Sequence, residues 1–289
     1  MPNQPLVPTV RRRRLGSTLK QIRNDARMTL EDAATAMGWT VPKLSKIENA
    51  KQQIQPKAVT DLLKAYGVSE PDVFTALENL ARDAGKKGWW QTYSGVVTPA
   101  YADYISLESD AERICEWTPM LIPGLLQTAA YARETIAANA VTRTPEEVGA
   151  LVEVRQARQA VISRPDNPLE VWAIIHENVL HQRFAVRPAT MREQLRRLLD
   201  VAEMPNITIQ IMPLNATPHP GTVGGFTVVN FPGPTPDVVL VENLLGNSYV
   251  EGVGAVKTFA GAFERIVAAA MSVDDSLALI KRMEEGKST

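Results

Sequence analysis

Two short amphipathic segments separated by three residues constrain the fold of this chain more than any other feature. Apolar residues recur at helical spacing in Leu30–Met37 and again in Val41–Asn49, and Gly38–Trp39–Thr40 lies between them. Two helices this short cannot bury their apolar faces alone, so they must pack on each other and on neighbouring helices. The pattern therefore predicts two helices joined by a tight turn, inside a small helical domain.

The residues around the turn carry the expected start and stop signals. Thr29, with Asp32 three residues later, predicts an N-terminal capping arrangement in which a hydroxyl accepts a hydrogen bond from a free backbone N–H. Gly38 can adopt the left-handed conformation that often ends a helix. Thr40 predicts a second cap, and Pro42 stands in the following first turn, where its missing N–H costs little.

This arrangement favours a helix-turn-helix. Ala34 is small enough to let the second helix cross close above the first, which leaves the outer face of Val41–Lys46 free to enter a major groove. The spacing alone leaves an alternative open, because capped amphipathic helices occur in any small helical bundle.

Similar signals extend the helical domain over residues 15–83. One helix begins near Leu15, one runs from Pro56 to Gly67, and one begins near Ser69 and Asp72. The sequence therefore predicts a bundle of five short helices.

The net charge of −1 conceals two unlike parts. Residues 1–90 contain 15 Lys and Arg against 9 Asp and Glu, a balance of +6, so the remaining residues, 16 against 23, carry −7. Such segregation indicates that the N-terminal part faces nucleic acid and the C-terminal part faces something else.

Four consecutive arginines precede the first predicted helix. Arg11–Arg14 follow a segment with three prolines, so residues 1–14 are predicted to be a disordered basic arm. In one interpretation Arg13 and Arg14 contact phosphates or enter a minor groove. In the other, the arm is a solvated tail that only raises non-specific affinity.

The run from Thr29 to Asn49, TLEDAATAMGWTVPKLSKIEN, closely resembles the XRE-type, lambda-repressor-like helix-turn-helix. The resemblance covers about residues 15–80 and implies a five-helix DNA-binding domain. It departs from the family pattern at Leu30, where the family often has a glutamine that contacts the DNA backbone. Carried over by position, the resemblance implies two sets of DNA contacts: base-edge readers Val41, Pro42, Lys43 and Lys46, and phosphate-side residues Thr40, Ser45, Asn49 and Lys51. Lys43 is the best candidate for reading a guanine.

A linker is predicted at residues 84–97. It begins with the glycine-bracketed segment AGKKG, and Trp89 and Trp90 follow. Adjacent tryptophans point to different sides, which favours packing between domains over a pair that stacks on a ligand.

Residues 98–289 are predicted to form an α/β domain with one mixed sheet of about five strands and helices packed on it. The expected strands are 114–117, 169–175, 207–212, 225–231 and 238–242. The expected helices are 101–113, 124–138, 145–162, 177–184, 189–202, 253–270 and 273–283.

No catalytic constellation stands out in this domain, and we expect no catalytic residue, metal or cofactor. His176 and His181 are five residues apart, so on a helix they leave the shared face that a zinc-protease motif requires. Gly246–Val250 lacks the second glycine of a nucleophile elbow. Cys115, the single cysteine, excludes an internal disulfide, and its acidic neighbours favour a buried thiol over a reactive one.

Three further segments resemble a known C-terminal domain. GWW at 88–90, LIPGLLQTAAYAR at 121–133 and MREQLRRLLDVAEMPNITIQIMP at 191–213 resemble a domain of uncharacterised function in the WhiJ-like group of actinobacterial regulators. The resemblance runs from about 88 to 283. It implies a transcription regulator, often encoded beside a small partner protein in arrangements likened to toxin–antitoxin pairs.

These observations predict a cytoplasmic regulator that binds a pseudo-palindromic operator in double-stranded DNA as a homodimer, with no membrane segment. The acidic domain is expected to dimerise and bind a partner protein, with an antitoxin role left open. One alternative is a small-molecule receptor whose ligand lies against Trp117, Trp172, His219 and Phe226. An enzyme with a tethered DNA-binding domain is another.

Overall fold

The computed structural model describes residues 9–84, 88–139, 143–233, 235–243 and 246–286. The chain divides into two compact units. The first comprises Met1–Trp89 with Phe231–Pro236, and the second comprises Trp90–Asn230 with Asp237–Thr289. Within the described ranges, every helix is too short or too polar to cross a membrane.

The first unit is helical. Its capping signals act as predicted: Thr29 and Asp32 form a reciprocal capping box, Thr40 caps the following helix, and Gly38 has a positive φ of 63°. The described helices are α1 (Val10–Asp25), α2 (Leu30–Ala36), α3 (Val41–Glu48), α4 (Pro56–Ala65) and α5 (Pro71–Asp83).

In the core of this unit, α1 packs against α3. Leu19, Leu44 and Leu62 are fully buried. The two helix backbones approach so closely that a Cβ added at Gly16 would lie 2.6 Å from the carbonyl oxygen of Glu48. Only glycine fits at this point, so the contact fixes the C-terminal end of α3.

The predicted basic arm is wrong at its C-terminal boundary. Thr9 accepts a hydrogen bond from Arg12 N and begins α1, and Val10 is fully buried, so Arg11–Arg14 form the first turns of a helix. The prolines end at Pro8, which leaves the helix free to start directly after it. Residues 1–8 of the predicted arm lie outside the described residues.

The second unit contains a mixed sheet with six described strands. The strands are β1 (Arg113–Thr118), β2 (Glu170–His176), β3 (Ile207–Met212), β4 (Phe226–Asn230), β5 (Val238–Asn243) and β6 (Gly246–Val250). Their order in the sheet is β3-β2-β1-β4-β5-β6, with β1, β2 and β3 parallel and the remaining pairs antiparallel.

Helices cover this sheet. Successive side chains of β1 point to opposite faces of the sheet, which identifies the two faces. Cys115 and Trp117 point to the face covered by Phe263 of the long C-terminal helix, so Glu116 points to the other. The cysteine is buried, as predicted. The described helices are α6 (Pro99–Asp110), α7 (Ala129–Asn139), α8 (Pro145–Arg158), α9 (Thr190–Ala202), α10 (Val253–Ala269) and α11 (Val273–Glu284).

Three predictions for this unit are corrected. Gly246–Val250 forms a sixth strand, paired antiparallel with β5, where no strand was expected. Glu177–His181 is a short 3₁₀ turn instead of a longer helix, and His176 caps it by accepting a hydrogen bond from Asn178 N. Gly124–Leu126 is also a 3₁₀ turn, so the helix predicted from 124 begins only at α7.

Candidate nucleic-acid interface

The second helix of the pair, α3, presents one polar face and buries the other. Leu44, Ile47 and Glu48 are buried. Pro42, Lys46 and Asn49 are exposed, and their spacing places them along one stripe of the helix. Three more predicted contacts, Val41, Lys43 and Ser45, are partly exposed, and Thr40 and Lys51 are exposed. All eight α3 candidates therefore keep solvent contact.

Lys43 lies against the ring of Trp39, a residue that is not among the predicted DNA contacts. Its Nζ stands 3.9 Å from the ring centroid of Trp39, a cation–π contact. Trp39, in the turn, precedes Lys43 by four positions, and this spacing brings the two side chains together at the start of the helix. Trp39 thus restricts the directions in which Lys43 can extend.

The two ends of α3 use predicted contact residues for local hydrogen bonds. Thr40 Oγ1 accepts from Lys43 N at 3.4 Å, and Asn49 Nδ2 donates to the carbonyl oxygen of Ser45 at 2.8 Å. The threonine hydroxyl retains its own proton and the Asn49 side chain retains its carbonyl oxygen. Both residues can still contact a ligand at this face.

A buried ion pair holds α3 in place. Arg23 Nε and NH2 donate to the two carboxylate oxygens of Glu48 at 2.7 and 3.0 Å, and Arg23 NH1 donates to the carbonyl oxygen of Met28 at 2.7 Å. The hydrogen bonds to Glu48 hold the pKa of the Arg23 guanidinium above its usual value, against the opposing effect of burial. Glu48 therefore orients the helix and does not face solvent.

The two arginines predicted to bind DNA, Arg13 and Arg14, differ in solvent exposure. Arg13 is partly exposed in the first turns of α1. Arg14 is 2% exposed, donates to Thr235 Oγ1 at 3.0 Å, and stands 3.2 Å from the ring centroid of Phe231. The prediction of a DNA contact is wrong for Arg14 in this conformation, because its guanidinium is enclosed by residues of its own unit.

The four residues predicted to line a ligand pocket lie mainly in a packed core. Trp172 packs edge-on against Phe263 at 5.8 Å, and Phe226 packs against Phe259 at 5.1 Å between ring centroids. Both phenylalanine partners come from α10. The side chains of α10 therefore occupy the space predicted for a ligand. Phe226 also borders a small cavity that is described below.

Trp117 and His219 are in ring contact, and each forms a hydrogen bond with Gly221. The Trp117 indole N–H donates to the carbonyl oxygen of Gly221 at 2.9 Å, and the His219 ring meets the indole edge-on at 5.4 Å. His219 Nδ1 accepts from Gly221 N at 3.1 Å. Burial lowers the pKa of His219, and nearby His176 lowers it further, so the ring favours its neutral form.

The tryptophans of the predicted linker differ in burial. Trp89 is 42% exposed, whereas Trp90 packs against a cluster that contains Val97, Ile105 and Val154. Both lie at the start of a 3₁₀ turn, Trp89–Tyr93. Residues 85–87, in the basic part of the linker, lie outside the described residues.

Two family models match the chain. Residues 14–75 match a helix-turn-helix domain, and residues 101–282 match a domain of unknown function, DUF5753. Searches of curated proteins and of solved structures found no match. The helix-turn-helix match supports a DNA-binding regulator and covers all of α2, α3 and α4. Because the second match spans more than half of the chain, this protein belongs to the DUF5753 family, with a helix-turn-helix domain preceding the family domain.

Proposed function

We propose that this protein is a sequence-specific DNA-binding transcriptional regulator, and that α3 enters the major groove with its N-terminal end first. The polar outer face of α3, set on a buried core within a helix-turn-helix domain, carries the proposal. The excess of basic residues in the first 90 positions supports a phosphate-bearing partner. A DNA partner also favours a cytoplasmic location.

The exposed stripe divides into base-reading and phosphate-binding positions. Val41 and Pro42 offer apolar surface for a thymine methyl group, and Lys43 offers the donor for a guanine edge. Lys46, which is exposed, is the next candidate base-edge reader, and Lys51, also exposed, is a candidate phosphate contact. Arg13 remains a candidate phosphate contact.

Replacing Lys43 with alanine should weaken binding to the preferred operator by about 1–3 kcal/mol and relax specificity at one base pair. The measurement is fluorescence anisotropy against an operator selected from random DNA, together with its single-position variants. Lys64→Ala, at an exposed position of α4, is the matched control and should leave the base preferences unchanged. A uniform loss across all operator variants would make Lys43 a phosphate contact and contradict base reading.

The regulator is proposed to bind as a homodimer, because one helix-turn-helix reads too few base pairs to select a site. Two chains should occupy one pseudo-palindromic operator, with half-sites about 34 Å apart. Native mass spectrometry of the complex should give two chains per duplex, and insertion of half a helical turn between the half-sites should weaken binding. One chain per duplex, with affinity unaffected by the insertion, would contradict the dimer.

Binding of a small protein from a neighbouring gene and an antitoxin role stay predictions for the DUF5753 unit.

A further inference from the structure

On the sheet face that carries Glu116, the second unit has two small, partly open cavities. One has a volume of about 260 Å³ and the other about 170 Å³, and both are lined by Leu121 and Glu242, so they adjoin there. Together they fall near the lower end of the ~300–1,000 Å³ typical of small-molecule sites. The space therefore suits a compact ligand.

Charges of both signs line this space without pairing. Arg155 borders the larger cavity, Glu116 borders the smaller one, and Glu242 borders both. Among the described residues, neither carboxylate has a hydrogen-bond or ion-pair partner. Arg155 NH1 donates to Gln127 Oε1 at 2.9 Å, but the buried Arg155 Nε has no partner in the described structure. Buried polar groups are normally paired, so the Arg155 Nε points to a missing partner, and the two carboxylates place negative charge beside the same space.

Glu116 is the most perturbed of these groups. Burial raises the pKa of its carboxyl to about 8, and the neighbouring Glu242 and Glu108 contribute to the rise. Arg158 and Arg155 act in the opposite direction. At neutral pH the folded protein therefore holds a proton on Glu116 unless a positive charge comes close.

The walls also provide an apolar surface. Leu121 is shared by the two cavities, and Met120, Phe226 and Leu240 line the smaller one. Met120 is 67% exposed, which places an apolar side chain at the surface near the cavity. A ligand that fills both cavities must therefore combine charged groups with an apolar part.

We propose that these two cavities bind a small zwitterion with an apolar side chain, whose carboxylate contacts Arg155 and whose ammonium group lies between Glu242 and Glu116. Arginine recognises a carboxylate through paired N–H donors, and a carboxylate is the natural partner of an ammonium group. The apolar part contacts Leu121 and Leu240. This chemistry is shared by apolar α-amino acids and by short apolar peptides.

The proposal predicts a proton release on binding. An ammonium group beside Glu116 favours the ionised carboxylate, so the ligand displaces the proton that Glu116 holds. Affinity should therefore rise as the pH increases towards 8, by at most about tenfold per unit. The charged and titratable groups that face Glu116 are Glu242 of β5, Tyr104 and Glu108 of α6, and Arg155 and Arg158 of α8.

The test is isothermal titration calorimetry on the full chain without DNA, so it is independent of the DNA-binding proposal. The probes are L-phenylalanine and L-alanyl-L-phenylalanine, which distinguish a free amino acid from a peptide. Binding by at least one of them, with a Kd of about 1 mM or tighter, is expected. Phenylalaninamide, which lacks the carboxylate, and 3-phenylpropanoate, which lacks the ammonium group, should each bind at least about tenfold more weakly.

Two variants connect the binding to the cavity. Glu242→Gln, at an exposed position, should weaken the better probe about tenfold without disturbing the core. Glu116→Gln should remove the rise in affinity between about pH 6.5 and 8. Glu264→Gln, exposed on α10 over the opposite face, is the control and should change neither. Failure of both probes to bind, equal binding of the amide or the propanoate, or unchanged affinity in Glu242→Gln would overturn the proposal.

Discussion

Replacing Arg158 with methionine should lower the free energy of unfolding of the α/β unit by about 3–5 kcal/mol. The Arg158 guanidinium donates from Nε and NH2 to both oxygens of Glu108, at 2.7 and 2.5 Å, and from NH1 to the Tyr101 hydroxyl at 2.7 Å. The two charged side chains are 3% and 1% exposed. Methionine fills part of the space but leaves the carboxylate of Glu108 buried without its counterion.

The loss should increase at alkaline pH. Burial raises the pKa of Glu116 to about 8, and Arg158 is one of two arginines that limit the rise, so its removal raises this pKa further. A carboxyl whose pKa is raised on folding binds more protons in the folded state than in the unfolded state. The free energy of unfolding therefore falls as the pH rises from the pKa of the unfolded chain, about 4.3, to the pKa of the folded protein. In the variant this range extends above pH 8, so the difference from the wild type should grow between about pH 7 and 9.

Differential scanning calorimetry at about pH 7 and 9 measures both effects. Arg192→Met on α9 is the matched control, because the Arg192 side chain is 70% exposed and its contact with Glu284 is 3.6 Å long. An exposed ion pair of this kind contributes about 0–1 kcal/mol. If both variants shifted the transition equally, the buried pair would not stabilise the unit.

The helical unit follows closely from local sequence signals, because each of its boundaries depends on a few neighbouring residues. Thr29 and Asp32 form the predicted capping box, Gly38 takes the left-handed conformation, and Pro56 begins α4. The first helix begins five residues before the predicted Leu15, because a run of arginines after three prolines resembles a flexible arm. The start of α1 also contacts distant parts of the chain, as Arg14 does with Thr235, and local signals do not report such contacts.

The α/β unit was predicted less completely for the same reason. All five expected strands agree with the structure within one residue at each end, but the polar edge strand β6 is absent from the prediction. The aromatic pocket was expected from Trp117 and Trp172, and only the folded chain shows that α10 fills that side of the sheet. The cavity on the other side had one signal in the sequence, a charged Glu116 alternating with the apolar residues of β1.

Replacing Glu48 with alanine should destabilise the packing of α1 on α3 by about 3–5 kcal/mol. Arg23 and Glu48 have side chains that are only 7% and 2% exposed, so the variant leaves a buried guanidinium without a counterion. Arg23 keeps its hydrogen bond from NH1 to the carbonyl oxygen of Met28, but it loses its two hydrogen bonds to the carboxylate of Glu48. Hydrogen-exchange mass spectrometry of the full chain should show a loss of protection of about 100-fold or more in α1 and α3.

Asp61→Ala, at an exposed position of α4, provides the control and should change protection by less than about 0.5 kcal/mol. The double variant Arg23→Met, Glu48→Met should recover much of the loss, since removing both charges also removes the unpaired ion. If the double variant is as unstable as Glu48→Ala, shape at the Gly16 contact, and not charge, holds α3 against α1. If Glu48→Ala leaves protection unchanged, the ion pair does not orient the proposed recognition helix. In the outcome we expect, Glu48→Ala also weakens DNA binding uniformly across operator variants, because it displaces the helix and removes no base contact.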